Sequence, residues 1–217
     1  VIQVLLADDE AMIRAGVRAI LAADPDIEVV AEAGDGREAV ELAMAHRPDV
    51  ALLDIRMPRL DGLAAGAEIT RAVPEIAVAI LTTFGDDDYI AQALDGGARG
   101  FLLKSGDPRE LISGVHALAH GGAYLAPKVA ARVIAKLRST GLGRATTARA
   151  KTDSLSQRER DVLALLGAGL SNAQIAHRLN LVEGTVKGHV SAILTRLDLA
   201  NRVQAAIVAH EAGLIPG

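Results

Sequence analysis

Apolar residues fall along the first half of the chain in two alternating rhythms. Short, nearly continuous aliphatic runs stand at Ile2–Ala7, Ile27–Ala31, Val50–Leu53, Ala77–Leu81 and Gly100–Leu103. Each is followed by a stretch in which apolar positions recur every three or four residues: Ala11–Ala22, Gly36–His46, Gly62–Val73, Asp87–Leu94 and Pro108–His120. The continuous runs read as strands buried on both faces, and the helical rhythm reads as amphipathic helices packed over them. Strand and helix alternating at this spacing predicts right-handed crossovers and a five-stranded parallel sheet with helices on both faces. The last of these helices is well marked, with Asp107 as cap, Pro108 in the first turn and Glu110 completing a capping box.

Past His120 the rhythm changes. Gly121 and Gly122 end the helix, Pro127–Leu137 has the pattern of one more, and Ser139–Ser154 is rich in Ser, Thr, Gly, Ala and Arg without any apolar period. From Leu155 only helical patterns appear, at Gln157–Gly167, Asn172–Leu179, Glu183–Leu197 and Arg202–Ala212. Ser156 with Glu159, Ser171 with Gln174 and Asn201 with Gln204 have capping-box spacing. The expected division is a first domain over 1–122, a partly helical linker over 123–154 and a helical domain over 155–217.

Composition narrows the chemistry. Half of the 217 residues are hydrophobic but only 2% are aromatic, so the cores are packed with aliphatic side chains. There is no cysteine, which removes disulfides, thiolate catalysis and zinc-finger ligation. No apolar run approaches the roughly 18 residues of a membrane span, and the first residues enter a strand pattern, so a cytoplasmic protein is expected. The net charge of −4 hides a division: 10 basic and 21 acidic residues over 1–122, 6 basic and no acidic over 123–150, and 7 basic and 6 acidic over 151–217. An acidic module followed by a basic segment is compatible with a polyanionic partner and equally with a solvated linker.

In an open parallel sheet, ligands sit at the carboxyl ends of the strands. Asp8 and Asp9 follow the first strand, Asp54 ends the third, Thr82 follows the fourth and Lys104 follows the fifth. In the order 2-1-3-4-5 the first and third strands are neighbours, and three carboxylates converge. Such a cluster needs a cation, and oxygen donors without His or Cys favour magnesium.

The segments LLADDE, LLDIRMPRLDG, LTTF and GFLLK resemble, in order, the receiver domain of two-component response regulators, over about Val1 to His120. The resemblance implies a flavodoxin-like fold in which Asp54 takes a phosphoryl group from a phosphohistidine of a sensor histidine kinase. It implies Mg2+ held by Asp9, Asp54 and the backbone carbonyl of Arg56, with Asp8 acting through water. Lys104 then pairs with phosphoryl oxygens, Thr82 offers them a hydroxyl, and Phe101 is the switching aromatic that turns inward as Thr82 is drawn in. Ser105 stands where proline often follows the lysine, which argues against a cis peptide there.

Two enzyme readings compete. Gly34, Gly36 and Ala39 have the G-x-G-x-x-A spacing of a dinucleotide site, but Asp35 and Glu38 would face the pyrophosphate, and the motif follows the second strand instead of the first. An aspartyl phosphatase would resemble D-x-D, and position 56 is Arg. The expectation is that the chain is not an enzyme. The six histidines form no metal set; capping and surface roles suffice for His46, His116, His120, His177, His189 and His210.

The run LSQRERDVLALLGAGLSNAQIAHRLNLVEGTVKGHVSAILTRLDLANRVQAA resembles the four-helix helix-turn-helix domain of the NarL/LuxR family. That resemblance makes Asn172–Leu179 the scaffold helix, Glu183–Leu197 the recognition helix in the major groove of double-stranded DNA, and the last helix a dimer contact through Val203, Ala206, Ile207 and His210. Helical spacing turns Val186, Val190, Ile193, Leu194 and Leu197 to the core and Lys187, Gly188 and Ser191 away from it. Thr185, Lys187, Gly188, His189, Ser191 and Arg202 are the candidate DNA contacts. An all-helical module that binds protein is the alternative. The whole reads as a transcriptional regulator switched by phosphorylation of Asp54 and acting as a homodimer, or as one gated by a ligand or partner without phosphorylation.

Overall fold

The computed structural model describes residues 1–83, 87–127, 129–130, 148 and 151–215. They divide into two compact units, the first holding Val1–Ala119 and Tyr124–Ala130 and the second the remainder. Most of the predicted helix Pro127–Leu137 and most of the stretch Ser139–Ser154 lie outside the described residues.

In the first unit, strands β1 (Ile2–Ala7), β2 (Ile27–Ala33), β3 (Val50–Asp54), β4 (Ala77–Thr82) and β5 (Gly100–Leu103) alternate with helices α1 (Ala11–Leu21), α2 (Gly36–His46), α3 (Gly62–Ala72), α4 (Asp87–Asp95) and α5 (Pro108–Ala119). The sheet is parallel, in the order β2-β1-β3-β4-β5-β6. A short sixth strand, β6 (Tyr124–Leu125), extends the expected five-stranded sheet at its edge. It pairs with β5 through Gly100↔Tyr124 and Phe101↔Leu125, and two residues are too few to set up a readable alternation. β3 and β4 are buried at every position, as strands covered by helices on both faces must be.

The chain winds from β1 outward to β2 and then returns to place β3 on the other side of β1, so the sheet's switch point lies between β1 and β3. Register makes this exact for the chemistry. Ala7 pairs with Leu53, so the next residues, Asp8 and Asp54, stand side by side. Thr82 pairs with Leu103, which brings Lys104 to the same edge.

The second unit holds α6 (Gln157–Gly167), α7 (Asn172–Leu179), α8 (Glu183–Leu197) and α9 (Arg202–Glu211) around a core that includes Val162, Leu166, Ile175, Val186, Ile193, Leu197 and Ala209. Ser156 with Glu159 and Ser171 with Gln174 form complete capping boxes. At α9 the Asn201 side chain accepts from Gln204 N, but Gln204 Oε1 accepts from Ala200 N, one residue before the position the box spacing predicts. α7 ends at Asn180 in the left-handed conformation, φ 52°, and a short turn through Leu181 and Val182 leads into α8. Two helices joined by so short a turn make a helix-turn-helix.

Candidate functional site

Asp8 is fully buried at the end of β1, Asp54 is nearly so at the end of β3, and Asp9 is exposed beside them. Carboxylate oxygens of Asp8, Asp9 and Asp54 lie within 4.8 Å of one another, the single such cluster of potential metal ligands among the described residues. Lys104 Nζ lies 2.7 Å from Asp8 Oδ2 and 2.8 Å from Asp54 Oδ1, its side chain almost wholly enclosed. The second oxygens are held by backbone: Glu10 N donates to Asp8 Oδ1 at 3.0 Å and Arg56 N to Asp54 Oδ2 at 3.2 Å. Arg14 on α1, which sequence reasoning passed over, donates to the carbonyl of Asp8 at 2.5 Å.

Three carboxylates against one ammonium leave the cluster short of positive charge. Burial pushes the Asp54 carboxyl above its usual value, with the Asp8 charge adding to the rise and the Lys104 contact opposing it. Burial pulls Lys104 downward, but the hydrogen bonds and charges of Asp54 and Asp8 outweigh it and raise the ammonium above its ordinary value. The site therefore favours a proton or a second cation beside Lys104. An all-oxygen donor set of this kind fits a hard divalent ion, and Mg2+ above all.

Gly62 begins α3 pressed against the site: a Cβ there would stand 1.8 Å from the carbonyl oxygen of Asp54. Thr82 is buried at the end of β4, its carbonyl accepting from Lys104 N at 2.8 Å. Phe101 is fully buried. In this structure the ring therefore stands in the interior at the end of the sheet. Enclosing a phenyl group among aliphatic side chains is favourable by roughly 1.5–3 kcal/mol. The described peptide bonds, including that between Lys104 and Ser105, are trans.

The G-x-G-x-x-A segment is a helix start whose amides at 34, 37 and 38 are taken by its own carboxylates. Gly34 N donates to Glu38 Oε2 at 2.8 Å, and Asp35 caps α2 by accepting from Arg37 N and Glu38 N. Asp35 also takes the guanidinium of Arg59, a pairing that no sequence signal announced.

On α8 the buried positions are Val186, Ile193 and Leu197, with Val190 and Leu194 half-buried against the same core. The opposite face exposes Gly184, Thr185, Lys187, Gly188, Ser191, Ala192, Thr195 and Arg196, while His189 is half-buried. Lys187 pairs only loosely, 3.3 Å from Glu183 one turn earlier. Arg196 is tied 2.7 Å from Glu159, whose carboxyl is held below its usual value by hydrogen bonds from the Ser156 side chain and backbone. Val182 stands at the N-cap of α8 without a capping bond, 71% exposed.

Two candidates face inward and are corrected. Arg202 is buried, donating to the Leu170 carbonyl at 2.6 Å and to Asn172 Oδ1 at 2.9 Å, so its guanidinium supports the α7 start and is not presented to a phosphate. Val203 is 4% exposed and belongs to the unit's interior, whereas Ala206 and Ile207 are half-buried and His210 is exposed. No described helix is long and apolar enough to cross a membrane.

Comparison with known proteins agrees with this geometry. Residues 4–116 match the response regulator receiver domain, and residues 153–209 match the bacterial regulatory proteins of the luxR family. The chain is 39% identical over 214 residues to the transcriptional regulatory protein LiaR of Bacillus subtilis, covering 99% of each. It is 37% identical over 208 residues to the nitrate/nitrite response regulator NarL of Escherichia coli, covering 96% of this chain and 94% of NarL. The crystal structure of the response regulator ChrA of a heme-sensing two-component system aligns over 99% of this chain and 98% of ChrA, with 36% identity and a TM-score of 0.54. With buried acidic residues and a lysine at the sheet's switch point and a helix-turn-helix in the second unit, the chain belongs to the NarL/LuxR family of two-component, DNA-binding response regulators.

Proposed function

We propose that Asp54 is the phosphoacceptor and that its phosphorylation by a sensor histidine kinase raises the chain's affinity for promoter DNA. The observation that carries this reading is the placement of Asp54: ionisable, at a strand end, 2.8 Å from Lys104 and within 4.8 Å of Asp8 and Asp9. Phosphoryl transfer asks little covalent work of a protein and much positioning and charge neutralisation. Asp54 supplies the attacking carboxylate oxygen. Its bond to phosphorus forms as the phosphorus–nitrogen bond of the phosphohistidine breaks, and the imidazole, already protonated on its other ring nitrogen, leaves as the neutral ring. Lys104, already between the two carboxylates, moves its ammonium onto a phosphoryl oxygen, and the Thr82 hydroxyl donates to another.

Asp9, Asp54 and the carbonyl of Arg56 would hold Mg2+, with Asp8 reached through water. When bound, the ion neutralises charge on the carboxylates and on the incoming phosphoryl oxygens. Asp54 must be ionised to attack; burial raises its carboxyl above the usual value, and a cation held beside it would oppose that rise.

The exposed face of α8 is assigned to the major groove, with Lys187 and Thr185 as its main polar side chains and Gly188 and Ser191 allowing close approach. His189, half-buried, is kept as a phosphate contact. Ala206, Ile207 and His210 on α9 are assigned to a contact with a second copy on adjacent half-sites, where tethering raises effective concentration.

Acetyl phosphate with Mg2+ tests the assignment. The wild type is expected to take one phosphoryl group at Asp54 and Asp54→Asn none. Labelling of Asp54→Asn at the wild-type level would overturn it.

A further inference from the structure

We propose that Asp35 and Arg59 are positioning residues for cation binding and phosphorylation at Asp54: their ion pair holds the β3–α3 segment, residues 55–61, in the shape that the acidic site requires. The inference rests on the reading of Asp54 as phosphoacceptor.

Asp35 divides its two oxygens between two tasks. Oδ1 accepts from Arg37 N at 2.9 Å and Glu38 N at 3.0 Å and so caps α2, while Oδ2 takes Arg59 Nη2 from the loop that follows the phosphoacceptor strand. The carboxylate is nearly buried, whereas the Arg59 side chain is largely exposed. Arg59 has a φ of 62°, in the left-handed region that non-glycine residues enter only when surroundings hold them there. Hydrogen bonding and charge from Arg59 keep the Asp35 carboxyl below its usual value, so the pair is ionised wherever the site is active.

The same bracket is seen in the packing. A Cβ at Gly36 would stand 2.0 Å from the Leu60 carbonyl oxygen, so the first turn of α2 is seated directly on the loop next to Arg59. At the other end Gly62 N donates to Ile55 O at 2.9 Å, and Leu60 N folds back to Pro58 O at 2.7 Å. Residues 55–61 are therefore closed across their base by the Gly62–Ile55 bond and seated on α2 at their tip. Arg56, whose carbonyl is assigned to the cation, lies between these two fastenings.

A half-exposed ion pair contributes little to global stability. This one joins an interior carboxylate to a loop whose backbone supplies one cation ligand and whose flanking residue is the nucleophile. Partners that orient the ligands of a metal commonly change metal affinity by about 10–100-fold when removed. The G-x-G-x-x-A segment thus has a use: Asp35 and Gly36 are the fixed half of a bracket for the phosphorylation loop.

Calorimetric titration of the full chain with MgCl2, beside amide hydrogen exchange at Leu60 and Gly62, tests the proposal. Asn retains the cap on α2 but not the charge, so Asp35→Asn separates the two tasks of this residue. Asp35→Asn and Arg59→Ala should each weaken Mg2+ binding by about 10-fold and speed exchange at both amides. Arg59→Lys should recover part of the loss, and the double variant should be no weaker than either single one. Labelling by acetyl phosphate should fall at low Mg2+ and recover as Mg2+ is raised. Mg2+ affinity within twofold of wild type in both single variants, with exchange unchanged, would overturn the bracket while leaving Asp54 as phosphoacceptor. Wild-type-level labelling of Asp54→Asn would overturn the underlying reading, and this inference with it.

Discussion

The pocket proposed to accept a phosphoryl group and the helix proposed to read DNA are built in opposite ways. The pocket draws Asp8, Asp9, Asp54 and Lys104 from three strand ends and encloses most of them, so each charge is fixed by its neighbours. The exposed face of α8 is sparse: two glycines, a serine, an alanine and two threonines, with Lys187 and the tethered Arg196 as its only cations. The first is a site in which chemistry is determined before the ligand arrives. On the proposed reading, the second would leave much of its selectivity to phosphate contacts, DNA shape and pairing of two copies, since a good bidentate base contact discriminates by only about 1–3 kcal/mol.

The contrast is broken most severely at Lys104. Lys104→Ala leaves Asp8 and Asp54 facing each other without a cation, and one-sided removal from a buried pair is destabilising by about 3 kcal/mol. Urea unfolding should show that loss, with labelling of Asp54 reduced to a small fraction of wild type. Asp54→Asn goes the other way. Because the folded state raises the Asp54 pKa, the stability linked to that group is present in acid and lost as pH rises through the raised value. Removing its charge should therefore leave the fold at least as stable at neutral pH, while abolishing labelling.

The pocket was legible in the sequence because strand ends are legible. Continuous runs ending at Ala7, Leu53, Leu81 and Leu103 put Asp8, Asp54, Thr82 and Lys104 on one edge once the sheet is parallel. What escaped depended on tertiary partners. Asp35 and Arg59 lie in two loops 24 residues apart, and no periodicity relates them. Arg202 reads as a surface cation because arginine is seldom enclosed, yet the Leu170 carbonyl and Asn172 draw it inside. Val203 looks like a surface apolar residue on a polar helix, but it is the inward stripe of α9. β6 is set by the edge of β5 and not by its own two residues.

On the recognition helix the expected effects are smaller. Lys187→Ala should weaken specific DNA binding by about tenfold, relax base preference and lower the salt slope by about 1, as read by binding titrations across salt concentrations. A complex insensitive to salt and to this change would place the reading face elsewhere. Val182→Ser should add a side-chain cap to α8 and stabilise the helical unit by about 1 kcal/mol in denaturant unfolding.

Smallest is a pH effect within the second unit. Glu159 is held below its ordinary value of 4.5, so its contribution is present above that value and is lost as pH falls through the lower folded value. Glu159→Gln keeps the capping geometry, and should flatten the acid side of the unit's stability profile.

The most direct measurement is the affinity of the full chain for a bound promoter fragment with and without acetyl phosphate and Mg2+, in wild type and in Asp54→Asn. The account predicts tighter, dimeric binding by the phosphorylated wild type and no response from Asp54→Asn. Equal affinity of the phosphorylated and unphosphorylated wild type, or an undiminished response from Asp54→Asn, would contradict it.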